Sequence, residues 1–306
     1  MKEIKPAKGY ALIFAIIKML SLIPIPASRI FGRLLGRFFV FMPLNRIKVC
    51  FENLQGAFKD SMTADEIKDL QKRILIHFGQ MLFEVPHIQR LKLSNLNDYI
   101  IFENEAHFLS AVDKGRGVLI LTGHLGNWEL MSAAIALRFA PNSAVIVRPI
   151  DFPAMDRIIG NLRSRFGTEI YPKKHAMRRL MRAMKEKKVV GILLDQNVDW
   201  YEGVFVDFFG KPACTNKGLA LVANWTGATV LPAFSVRQPD GRIRVIFEKE
   251  VQLIRTGDKT KDIEENTALF TSIIESYVRR YPDQWFWFHK RWKTKPFCKL
   301  PQGMFK

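Results

Sequence analysis

Residues 117–129 read GVLILTGHLGNWE. The run GVLIL is short, apolar throughout and opened by a glycine, the texture of a strand buried on both faces of a parallel sheet. GHLGN then supplies a turn, and the residues from 126 to 138 read as a helix. A strand that runs through a turn into a helix is half of a βαβ unit. The same alternation continues outward from it: a helix over about 104–112 precedes it, and strand 144–148, helix 153–166, a basic helix 175–187 and strand 189–194 follow. The predicted architecture is α/β, a mainly parallel central sheet with helices on both faces. TVLPAFSVR (229–237) and RIRVIFE (242–248) lie close in sequence and are expected to pair antiparallel as an edge. Thr63, followed by Asp65 and Glu66, marks a helix start running to about Val85 with an apolar stripe at Ile67, Leu70, Ile74 and Met81. Thr215 is expected to cap a helix over 215–226, and a last helix spans about 261–280.

A chain of 306 residues can bury a core without staples, and 48% apolar with 25% charged residues excludes disordered, collagen-like and multi-span membrane classes. Cys50, Cys214 and Cys298 are far apart, so neither a disulfide framework nor a structural zinc site is expected, and a reducing compartment fits. The charge is unusual: 47 Lys and Arg against 29 Asp and Glu leave +18, which points to a polyanionic partner. Residues 1–50 carry +8 of it among apolar runs, GYALIFAIIKMLSLIPIP (9–26) and FFVFMPL (38–44). With Lys18 inside it and Pro24 and Pro26 at its end, the first run is marginal as a spanning helix. A helix lying in the membrane interface is the alternative, and a cleaved signal peptide or a buried core helix are further readings. We read residues 1–45 as a membrane-anchoring helical segment and 46–306 as a separate domain. Lys173–Lys188 holds eight more Lys and Arg, with Met177, Leu180, Met181 and Met184 forming one apolar stripe. It is either a solvated surface helix or a docking face for an acidic partner.

His124 follows the GVLIL strand at the place where open α/β sheets gather ligands. Glu129, five residues on, can reach back to it if the histidine stands in the turn and the glutamate in the first helical turn. A carboxylate on one imidazole nitrogen fixes the tautomer and leaves the other nitrogen to take a proton from a hydroxyl. Gly123 and Gly126 allow close approach of backbone to substrate. Arg148 ends the AVIVR strand and Asp195, beside Gln196 and Asn197, ends VVGILL, both on the same rim. Arg148 either holds an anion or pairs with an acid such as Asp151. Asp195 either binds acceptor hydroxyls, pairs with Arg148 or backs His124. No GxxxxGK, GxGxxG or GxSxG pattern occurs, which argues against nucleotide, dinucleotide and serine-hydrolase chemistry. Trp285, Trp287 and Trp292, beside Lys290, Arg291 and Lys293, suit either a membrane interface or the core.

GHLGNWE resembles the HxxxxD/E box of the bacterial lipid A biosynthesis acyltransferases, within the wider glycerol-phosphate and lysophospholipid acyltransferase superfamily. The resemblance extends to RIKVCFENLQGAF (46–58), VRP (147–149), LLDQN (193–197), GVFVDFFGKPACTNKGLALVA (203–223), VLPAF (230–234) and QWFWFHKRWK (284–293). It implies transfer of a fatty acyl group from an acyl carrier protein thioester to a hydroxyl of a lipid A precursor or related glycolipid, at the cytoplasmic face of the inner membrane. It further implies His124 as general base, Glu129 as its orienting partner, and Arg148, Asp195 and Gln196 as acceptor-binding residues, with no metal and no cofactor. The expected partners are acyl carrier protein, a phosphorylated glycolipid and anionic membrane lipids, with no nucleic acid. The oxyanion is expected to meet amides of the helix beginning near Gly126. Another glycolipid or lysophospholipid acceptor is the alternative, and a non-catalytic basic binding protein is a third reading. That last reading does not account for His124, Glu129, Arg148 and Asp195 all falling at predicted strand ends.

Overall fold

The computed structural model describes residues 9–139 and 142–297, so Lys2, Lys5 and Lys8 of the basic start and Cys298 lie outside the described residues. Four helices come first: α1 (Tyr10–Leu22), α2 (Ile25–Phe39), α3 (Asn45–Phe58) and α4 (Ala64–Glu84). The expected start of α4 holds, because the Thr63 side chain accepts from the Glu66 amide while Glu66 bonds the Thr63 amide at 2.7 Å, a capping box. Two short 3-10 turns lead into the α/β body. Its elements run β1 (Ile100–Glu103), α5 (Glu105–Asp113), β2 (Val118–Thr122), α6 (Trp128–Arg138), β3 (Ser143–Val147), α7 (Pro153–Arg163), β4 (Glu169–Pro172), α8 (Ala176–Lys185), β5 (Val189–Leu193), β6 (Gly203–Phe208), β7 (Lys211–Asn216), α9 (Gly218–Thr226), β8 (Thr229–Arg237), β9 (Ile243–Phe247) and α10 (Lys259–Arg280).

Seven strands form the main sheet in the order β1-β9-β8-β2-β5-β3-β4, parallel except for the β8–β9 pair. That pair is antiparallel as expected, but it is not the edge, because β1 adds outside β9 in parallel. The other edge, β4, is four residues with an exposed first position and a terminal proline, too short for an alternation pattern to announce it. Helices α5, α6 and α7 lie on one face and α8 and α9 on the other, the division that the right-handed crossover rule expects for this strand order. The two cores follow that division: Val118 and Ile120 pack with α5 and α6, while Leu119 and Leu121 pack with α8, α9 and α10. The segment expected to open a helix at Thr215 instead closes a hairpin. Phe209 (φ 58°) and Gly210 (φ 70°) supply the left-handed pair that a two-residue turn between β6 and β7 requires. Thr215 therefore sits buried in β7, its hydroxyl donating to the Ala213 carbonyl, and Lys217 occupies the N-cap of α9.

The N-terminal helices are built from unlike faces. On α2, Ser28, Gly32 and Gly36 recur every fourth residue and are buried, the two glycines against α4 and Ser28 in a hydrogen bond with His87. A Cβ at Gly36 would lie 2.4 Å from the Ile76 Cα and one at Gly32 the same distance from the Gln80 Cα, so the two backbones touch. The other face of α2 exposes Ile30, Phe31, Leu34 and Phe38, and α1 adds Leu12, Phe14, Ile16, Met19 and Leu22. Among the described residues no helix is long and apolar enough to cross a membrane.

Candidate active site

β2 and β5 are neighbours, yet the chain leaves β2 toward the face of α6 and leaves β5 toward the face of α9. Loops that part in this way open a crevice at the carboxyl edge of a parallel sheet. His124 stands at the end of β2 and Asp195 at the end of β5, on either side of that crevice. The His124 Nδ1–H donates to Asp195 Oδ1 at 2.8 Å, and the His124 amide donates to Asp195 Oδ2 at 2.7 Å. The Trp285 indole is the third donor to this carboxylate, reaching Oδ2 at 2.7 Å. Asp195 is buried; burial would raise its pKa, but the opposing charge and hydrogen bonds of His124 outweigh it and hold the carboxyl well below the usual range. The carboxylate fixes the imidazole with Nε2 free of it, and that nitrogen faces the exposed Gln196 amide at 3.3 Å. Trp128 and Phe286 wall the ring, with centroids 4.9 and 6.0 Å away.

Glu129 makes different contacts from those expected of it. From the first turn of α6 its carboxylate receives Arg163 of α7, whose Nε donates at 2.8 Å and whose NH2 also donates, and the Trp128 indole donates to it at 3.2 Å. His124 is not among its partners; Asp195 takes that place. Arg163 was missed in the sequence, where it reads as an ordinary basic residue near a helix end. Arg148 is 79% exposed at the end of β3, with a loose pairing to Asp151 at 3.8 Å, so its guanidinium is open to a ligand. Asp195, buried and held by three donors, is out of reach of an acceptor, whereas Gln196 is exposed beside His124 Nε2. The Gly126 amide donates to the Gln284 carbonyl at 2.8 Å and is taken; the first-turn amides of α6, Trp128 and Glu129, remain as helix-end donors. Among the described residues no cluster of ligating side chains could hold a metal.

The tail after α10 locks this site from behind. The Phe286 amide donates to the His124 carbonyl at 2.9 Å, and Trp285 and Trp287 are fully buried, so these tryptophans belong to the core and not to a surface. Arg291 is buried as well, donating to the Cys214 carbonyl at 3.1 Å and to the Thr215 hydroxyl. Burial depresses its pKa to about 10.

Beside the histidine, a narrow apolar cavity runs between α6 and the sheet. Trp128, Thr122 and Leu193 line the end near His124, and Ser143, Thr168 and Val189 the far end. It follows the length of β5, roughly 13 Å at the strand rise. The space open to the centre of a water-sized sphere is about 50 Å³, several times what one water requires. The Thr122 hydroxyl, buried in its lining, has no hydrogen-bond partner among the described residues.

A carboxylate-backed histidine thus stands at the carboxyl edge of a parallel α/β sheet, beside a narrow apolar cavity. The model of the bacterial lipid A biosynthesis acyltransferases matches residues 5–294, and the chain belongs to that family. It is 25% identical to the lipid A biosynthesis lauroyltransferase of Escherichia coli (strain K12) over 282 residues, 90% of this chain and 88% of the relative. It is 23% identical to the palmitoleoyltransferase of the same organism over 82% of this chain and 77% of that one. To the phosphatidylinositol mannoside acyltransferase of Mycolicibacterium smegmatis it is 24% identical, over 75% of this chain and 74% of that one. Membership makes the protein an O-acyltransferase with a glycolipid acceptor of the lipid A type.

Proposed function

We propose that the protein transfers a fatty acyl group from a carrier-protein thioester to a hydroxyl of a lipid A precursor at an anionic membrane surface, with His124 as general base. The observation that carries this reading is the His124–Asp195 pair beside an apolar cavity that shares Trp128 with it. With Nδ1–H held by Asp195, Nε2 takes the proton of the acceptor hydroxyl, once the acceptor displaces the Gln196 amide from it. The alkoxide then attacks the thioester carbon directly. The thiol leaves with the proton, and no covalent enzyme intermediate is needed. The acyl chain lies in the cavity, and Trp128 and Glu129 amides face the developing oxyanion.

Glu129, in this reading, acts through Arg163 to hold the start of α6 and with it the wall of the site. Arg148, exposed on the rim, receives an acceptor phosphate as a guanidinium fork. Residues 1–45 attach the enzyme to the inner membrane: the apolar faces of α1 and α2 enter the interface while Lys18, Arg33 and Arg37 meet anionic headgroups. The cationic helix α8, on the other face of the sheet from α7, exposes Arg178, Arg179 and Lys185 and suits an acidic soluble carrier. A second reading, transfer to another glycosylated lipid, is favoured by the mannoside acyltransferase relative. The test is a membrane assay with an acylated carrier protein and lipid A precursor, paired with lipid mass spectrometry of cells lacking the chain. His124→Ala is expected to lower the rate by about 10²–10⁴-fold with the fold intact. Full activity in that variant overturns the mechanism; an unchanged lipid A with an altered glycolipid selects the second reading.

A further inference from the structure

Beneath the catalytic turn lies a buried charged network that the chemistry above does not use. Glu84, at the end of α4, is 1% exposed. Its carboxylate is gripped by both terminal nitrogens of Arg237, with NH2 donating to Oε2 at 2.7 Å. The Arg29 Nε of α2 donates to Oε1 at 3.3 Å, and the Asn127 Nδ2 donates to Oε2 at 3.1 Å. Asn127 belongs to the GHLGNWE turn itself, and its other side-chain atom, Oδ1, caps α6 by accepting the Leu130 amide at 3.1 Å. Arg237 continues the network, its Nε donating to His77 Nδ1 at 3.3 Å while His77 Nε2–H donates to the Gly126 carbonyl at 3.1 Å. Burial would raise the pKa of Glu84 most strongly, yet Arg237, Asn127 and Arg29 together outweigh it and keep the carboxylate ionised.

The turn has little freedom of its own to absorb a loss here. Gly126 has φ 62°, and a Cβ on it would lie 2.1 Å from the Ser235 carbonyl oxygen, so β8 presses directly against it. Ser235 itself donates to the Leu125 carbonyl at 2.7 Å. The position of His124 is therefore set by a cage, and one bar of that cage comes from α2, a helix whose outer face is apolar and exposed.

We propose that Arg29, acting through Glu84 and Asn127, is a positioning residue for the catalytic turn, so that the seating of α2 on α4 is part of the active-site scaffold. The inference rests on the acyl-transfer reading for its effect on rate, but not for its effect on the turn. Arg29 touches no reacting atom; it works by holding Glu84, which holds Asn127.

Arg29→Met keeps the stem that packs beside Gly241 and removes the charge, Arg29→Lys restores the charge, and Asn127→Ser keeps a cap for Leu130 while cutting the bond to Glu84. Arg29→Met and Asn127→Ser are expected to lower kcat by about 10- to 100-fold at unchanged KM, as a displacement of under an ångström does. Arg29→Lys is expected to recover most of that. In the same variants hydrogen exchange at the His124 and Gly126 amides is expected to quicken, measured on the full chain well below its melting temperature. Exchange and kcat that both stay at the wild-type level overturn the proposal, as does a kcat that falls only in proportion to the folded fraction. If the wild-type chain transfers no acyl group while exchange still responds to Arg29→Met, the positioning stands and the acyl-transfer reading fails.

Discussion

At the scale of single residues, the question is which carboxylate serves His124. Spacing favoured Glu129, since it lies in the same motif; contact favours Asp195, which is 71 residues away in sequence and 2.8 Å away in space. The two assignments separate by mutation. Asp195→Asn takes away the carboxylate that holds the His124 Nδ1–H and is expected to cut kcat by about 10²–10⁴-fold. Glu129→Gln is expected to lower activity by a smaller factor, by loosening α6 from Arg163. A larger loss of kcat in Glu129→Gln than in Asp195→Asn reverses the assignment. The sequence could put His124 and Asp195 on one rim, because strand ends are legible from apolar runs. It left their pairing as one of three readings of Asp195, because neighbouring strands in the sheet need not be neighbours in the chain, and β5 reaches β2 only after five intervening elements, α6, β3, α7, β4 and α8, have folded back.

At the scale of elements, legibility followed pattern length. Helices α4 and α10 and strands β2 and β5 each have a periodic or wholly apolar run and were placed within a few residues. Strand β4 has four residues and no alternation, and the β6–β7 hairpin turns at Phe209-Gly210, where a phenylalanine in the left-handed region disguises the turn. The N-terminal helices show the opposite case, a pattern that is plain but open in meaning. Both faces of α2 look uncharged and small or apolar between Arg29, Arg33 and Arg37; only packing separates the glycine face on α4 from the exposed Phe31, Leu34 and Phe38. If the exposed face enters a membrane, each of these side chains contributes on the order of 1 kcal/mol, from partial burial of its apolar area. Replacing all three with glutamate is then expected to weaken binding to anionic phospholipid vesicles by about 100-fold or more, read by co-sedimentation. Equal binding by the variant and the parent removes the interfacial role of α2.

At the scale of the whole molecule, the protein combines a strongly positive surface with buried ionisable groups that support one crevice. His77 and His289 are both buried, and burial is the main cause that depresses them, to about 3 and about 4. In the unfolded chain each titrates near its ordinary value of about 6.5. As pH falls below that value the unfolded state takes up protons that the folded state refuses, so stability drops with acidification. The loss begins near pH 6.5 and continues to about pH 4 for His289 and about pH 3 for His77. Each histidine adds a slope of at most about 1.4 kcal/mol per pH unit in that window. Below about pH 4 the depressed carboxyls of Asp195 and Glu84 add to it, since their stabilisation is present above the unfolded pKa and disappears as they protonate. Urea denaturation at pH 7.5 and pH 5.0 is expected to give a midpoint lower at the acid pH, and replacing His289 with a neutral residue of similar size is expected to shrink that difference. His289 is the better choice for this measurement, because its Nδ1–H bonds only the Phe286 carbonyl, whereas His77 also holds the turn that carries His124. Midpoints that coincide at the two pH values would mean that the unfolded chain gains no protons there, and the buried histidines would then contribute nothing to acid sensitivity.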